Sequence, residues 1–195
     1  MPGKAGTMLY FACLGVGYIM VEVGLIAHFT RALGNPTVSA TVLITGLLVF
    51  SGLGSLASER ILLRARSVMP IVFACIAALL VAYALCIDRV LDVIGALPYG
   101  LRLPACFALL APPAFLMGMP MSVGMGWLAR LKKERMFIWA WGVNGCLSVV
   151  GAALVPLIAT AFGLSSVLLM AGAMYALAIP GLLALMQPLA ADSGA

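Results

Sequence analysis

The chain has 195 residues, of which 65% are hydrophobic and 9% charged, with a formal net charge of +5. A soluble domain carries roughly a quarter charged residues, so this composition excludes an ordinary globular domain, a disordered chain, a collagen-like fibre and a disulfide miniprotein. What remains is an all-α, polytopic membrane protein.

A bilayer core about 30 Å thick needs about 20 apolar residues per crossing. The charges divide the chain accordingly. Residues 5–30 are uncharged except for Glu22, and uncharged runs follow at 32–58, 67–87 and 103–129. The last run, 136–191, would make a helix of about 84 Å at 1.5 Å per residue, so it must fold back. Phe162-Gly163-Leu164-Ser165-Ser166 is its one turn-like stretch. The expectation is a single six-helix transmembrane domain over 1–195, with spans near 8–30, 37–57, 69–87, 104–126, 138–160 and 166–187. The runs are continuous rather than alternating, which favours helices over a barrel. No secretory cleavage pattern accompanies the first span, so it is expected to be retained. Segment 88–103 reads either as a short helix on the outer membrane surface, with Val90, Leu91, Ile94 and Leu97 near one face, or as a plain loop.

Alternate loops fall on opposite sides. Lys4, Arg60, Arg64, Arg66, Arg130, Lys132, Lys133 and Arg135 share one side, whereas Arg31, Arg89 and Arg102 share the other. The positive-inside rule places the first set, and with it both termini, in the cytoplasm. Trp127, Phe137, Trp139 and Trp141 flank the second basic loop as an aromatic belt would. The basic excess is thus topological, and no nucleic-acid partner is expected.

Cys13, Cys75, Cys86, Cys106 and Cys146 all fall in predicted spans without a Cys-x-x-Cys pair, as small apolar packing residues. Neither a metal site nor a cofactor is expected. Gly15-Val16-Gly17 and Gly52-Leu53-Gly54 follow no strand, so they are not phosphate loops. Small pairs at four-residue spacing (Ser51/Ser55, Gly118/Ser122, Ser122/Gly126, Ser148/Ala152) predict close packing of helices 2, 4 and 5. Pro112, Pro113 and Pro120, with Met117, Met119 and Met121 around them, predict a broken or kinked helix 4. Such breaks line sites in transporters or simply shape a bundle.

Glu22 is the single acid well inside a span, where a charge costs a few kcal/mol or more. It reads as a cation or proton site, or as a neutral acid bonded to a neighbouring helix, and is expected in the bundle interior. His28, six residues on, lies about 120° around the axis, so the two do not pair; His28 is expected to snorkel or touch a loop. Tyr18 shares the Glu22 face, and Asn144 is the other strongly polar intramembrane side chain. Glu22, Tyr18 and Asn144 form the candidate polar site.

Two stretches resemble a known family. One is Tyr10-Phe11-Ala12-Cys13-Leu14-Gly15-Val16-Gly17-Tyr18-Ile19-Met20-Val21-Glu22-Val23, with Gly34-Asn35-Pro36-Thr37 and Phe50-Ser51-Gly52-Leu53-Gly54-Ser55 after it. The other is Phe115-Leu116-Met117-Gly118-Met119-Pro120, then Trp139-Ala140-Trp141-Gly142-Val143-Asn144-Gly145 and Phe162-Gly163. Together they look like the membrane region of bacterial spermidine-synthase-like membrane proteins. The resemblance runs from about residue 8 to 180. It singles out Glu22, Asn35, Pro36, Trp141, Asn144 and Gly145, and it implies the bacterial inner membrane. The aminopropyltransferase-like domain of such proteins has no counterpart here, so no catalysis is implied. A fainter resemblance is to a six-helix half of a major facilitator transporter. It rests on Gly54-Ser55-Leu56-Ala57-Ser58-Glu59-Arg60 with Arg64 and Arg66, although the usual glycine after the arginine is missing.

Three functions are compatible with these features. The first is a non-catalytic membrane module or accessory subunit with a protein partner or a second copy. The second is a half-size transporter acting as a dimer on a small cation or polyamine. The third, an intramembrane enzyme, is weakly supported by one histidine and one buried acid.

Overall fold

The computed structural model describes residues 2–131 and 134–186. Six long helices account for nearly all of them: α1 (Pro2–Leu33), α2 (Pro36–Ser58), α3 (Ala65–Gly95), α4 (Tyr99–Arg130), α5 (Glu134–Phe162) and α6 (Leu164–Leu185), with a 3-10 turn at Glu59–Arg64 between α2 and α3. All six are long and apolar enough to cross a membrane. α1, α3, α4 and α5 reach past their apolar runs into the polar flanks, whereas α2 and α6 lie within theirs. Lys132 and Lys133 lie outside the described residues, as does the side chain of Arg135.

Local chemistry places the turns. Gly34, at φ +68°, closes α1 with its amide on the Thr30 carbonyl, a backbone region that favours glycine. Asn35 then caps α2, its Oδ1 accepting from the Thr37 and Val38 amides at 2.9 and 3.2 Å, while Pro36 occupies the first helical turn, where its missing N–H is harmless. Gly163 alone separates α5 from α6, at φ +88°, so the expected fold-back occurs at that bend.

One expectation is corrected, and for helix 4 one of two alternatives is excluded. Segment 88–103 forms neither a surface helix nor a long loop: α3 runs through to Gly95, and only 96–98 separate it from α4. Asp88 and Asp92 end a crossing helix because Arg31 on α1 answers both. Helix 4 is not broken. α4 continues through Pro104, Pro112, Pro113 and Pro120. Pro113 deprives the Leu109 carbonyl of its helical donor, and the Tyr83 hydroxyl of α3 supplies one instead.

α1 is the central helix, packed mainly on α6 and α5, while α2 lies along α4 and α3 along α6. Lipid tails are as apolar as the side chains, so close packing rather than water exclusion must join helices. Glycine supplies it. A Cβ at Gly54 would overlap the Phe115 carbonyl, one at Gly118 the Ser51 carbonyl, and one at Gly15 the Asn144 carbonyl. The small residues of α2 and α4 thus meet as expected, but those of α5 face α1. A fully buried aromatic cluster of Tyr10, Phe11, Phe73 and Tyr175 ties α1, α3 and α6 together, with ring centroids 5.0–6.2 Å apart. The Tyr10 hydroxyl is satisfied by the Pro120 carbonyl at 2.6 Å.

Candidate functional site

A cleft of about 410 Å³ opens among α1, α2, α4 and α5, with Tyr175 of α6 also on its wall. Its α1, α4 and α5 members sit in the central parts of their helices, while its α2 members run from the middle of that helix to Ser55 in the last turn. α1 contributes Leu14 and Tyr18, and α2 contributes Leu48, Ser51, Gly52 and Ser55. Met117, Gly118 and Met121 of α4 and Asn144 and Ser148 of α5 complete the lining. The close α2–α4 contact at Gly54 and Gly118 sets one wall. The α1–α5 contact at Gly15 sets the other, so the glycines that join the helices also shape the cleft.

The polar groups divide into engaged and open ones. Ser55 and Ser122 hydrogen-bond each other at 2.5 Å. Ser148 donates to the Asn144 carbonyl at 2.8 Å and approaches the Gly15 carbonyl at 3.2 Å. The Asn144 Nδ2 donates to the Phe11 carbonyl at 3.1 Å, while its Oδ1 accepts no hydrogen bond among the described residues. The Tyr18 hydroxyl faces the Ser51 side chain. Among the described residues no charged side chain lines the cleft.

The structure therefore divides the candidate polar site. Tyr18 and Asn144 meet in one cleft, but Glu22 does not line it. Glu22 is half-buried on α1, one turn beyond Tyr18 and within electrostatic reach of it, and forms no hydrogen bond among the described residues. Pro113, Gly118 and Pro120 are buried, Pro112 is exposed, and Gly142 and Gly145 are exposed on α5. Arg60, Arg64 and Arg130 are exposed at helix ends, as is Arg66 near the start of α3.

No known family model, curated protein or solved structure matches the chain. Function therefore has to be read from these surfaces alone.

Sequence reasoning missed two features. Ser51, Ser55 and Ser148 stood out only as packing residues, yet they line the cleft. His28, 1% exposed, places its Nδ1 3.0 Å from Asp88, and Arg31 reaches the same carboxylate oxygen at 2.7 Å. His28 is thus a buried partner of α3 rather than a snorkelling side chain. Its contact spans 60 positions and joins a segment expected as a surface helix or a plain loop, so no local signal announced it.

Proposed function

We propose that this chain is an integral membrane module, an accessory subunit that acts by holding a partner within the bilayer and not by catalysis. One observation carries the reading. Gly142 and Gly145 sit on the uncovered face of α5 with no atom within 4 Å of where a Cβ would stand. Glycine in a helix costs about 1 kcal/mol relative to alanine, and at Gly15, Gly54 and Gly118 that cost is offset by close packing. At Gly142 and Gly145 nothing among the described residues offsets it, and a second helix seated there would. Exposed Trp139 and Trp141 on the same helix suit a headgroup-level contact. The resemblance to membrane regions of spermidine-synthase-like proteins, with the basic loops and both ends in the cytoplasm of a bacterial inner membrane, accords with this role.

The test is the stoichiometry of the protein extracted in mild detergent, read by native mass spectrometry. A second chain in fixed ratio, lost on Gly142→Leu with Gly145→Leu while the thermal unfolding temperature holds, is the expected result. A monomer under all mild conditions would refute the reading.

Glu22 favours a second reading, a half-size transporter for a small cation working as a dimer, because an intramembrane acid without a hydrogen bond among the described residues is a natural counter-charge. Uptake of labelled spermidine into proteoliposomes, abolished in Glu22→Gln, would support it. Equal uptake by both forms would remove Glu22 from that role.

A further inference from the structure

We propose that the cleft between α2 and α5 binds a small uncharged amphiphile from the bilayer, an apolar body with one hydroxyl or amide head. The inference concerns the cleft and not the outer face of α5, so it stands or falls separately from the subunit reading.

Size comes first. A volume of about 410 Å³ lies within the roughly 300–1,000 Å³ of small-molecule sites, which are mostly apolar with a few placed polar groups. The cleft has that character. Leu14, Leu48, Met117 and Met121 offer an apolar wall, and methionine adapts to irregular shapes. Gly52 leaves room beside them, with no atom within 4 Å of a Cβ position.

The head group follows from the hydrogen bonds. Ser55 and Ser148 already have partners within the bundle. Asn144 Oδ1 is an acceptor without a donor among the described residues, and the Tyr18 hydroxyl stands with Ser51 on the same cleft. A head that donates a hydrogen bond would satisfy Asn144 Oδ1, which is otherwise presented to hydrocarbon at a cost, with the mutually engaged Tyr18 and Ser51 beside it. That no charged side chain among the described residues lines the cleft decides the ligand's charge. An ammonium placed here would be desolvated without a counter-ion, since Glu22 lies outside the lining.

The experiment uses the full chain in phosphatidylcholine nanodiscs with a ten-carbon alcohol bearing a diazirine, its labelling sites mapped by peptide mass spectrometry. Saturable labelling of Tyr18, Met117 or Met121 is expected, displaced by decanol but not by decane or spermidine. Gly52→Leu should lower cleft labelling at least tenfold, and Ser51→Ala should narrow the preference for decanol over decane. Unsaturable labelling spread over the lipid-facing sides of α3 and α5 would overturn the proposal. So would displacement by decane equal to that by decanol, or displacement by spermidine. If Gly52→Leu does not fold, the Ser51→Ala preference and the competition series decide the matter.

Discussion

The Tyr83 hydroxyl of α3 donates to the Leu109 carbonyl of α4, the carbonyl that Pro113 leaves without a helical amide. A proline inside a membrane helix is tolerated when a neighbour resatisfies the backbone, and here the neighbour is one phenol. Tyr83→Phe should lower stability by about 1 kcal/mol, the size of one hydrogen bond left unmade. Thermal unfolding in detergent would show it as a drop in midpoint, with Tyr99→Phe, exposed at the start of α4, as an unchanged control.

Glycine substitutions should divide by sign. Gly54→Ala and Gly118→Ala push a methyl into a neighbouring carbonyl, so each should destabilise the bundle by about 1–3 kcal/mol, the usual range for overpacking. Gly142→Ala meets open space and should leave the isolated chain unchanged or stabilised by up to about 1 kcal/mol. Denaturant unfolding of the three variants checks the order; equal losses at all three would contradict the packing described.

The ends of α1 and α3 are joined unequally by the two aspartates. Asp88 receives both His28 and Arg31, whereas Asp92 meets Arg31 only at 3.5 Å and is 67% exposed. Asp92→Ala should change stability by less than about 0.5 kcal/mol, as exposed pairs do. Asp88→Ala should cost more, on the order of 1–2 kcal/mol, because it strands the buried His28 ring. Unfolding at low and high salt separates them: the Asp92 effect should vanish with screening and the Asp88 effect should persist.

Topology is testable by single cysteines in a background with the five native cysteines replaced by alanine. Cysteine at Asn35 or Gly163, in the two glycine-bearing turns, should react with an impermeant maleimide on intact cells. Cysteine at Arg60 or Arg130 should react only after permeabilisation, as the basic loops require. The reverse pattern would invert the orientation.

Much of the architecture is legible in one dimension because bilayer thickness imposes a length on apolar runs. Residues 5–30, 32–58, 67–87, 103–129 and 136–191 therefore announced six helices, and Gly163 announced the fold-back. The α2–α4 contact was legible too, since small residues four apart share a helix face. What tertiary structure alone decided is which faces meet. It turned Ser148 and Asn144 toward α1, brought Tyr18 beside them, left Glu22 outside the cleft, and set His28 on Asp88. Hydropathy carries no directional information within a chain so uniformly apolar. The rotation of each helix is instead set by which glycine fits against which carbonyl and which hydroxyl reaches which freed backbone oxygen, and these are properties of pairs of helices rather than of any one.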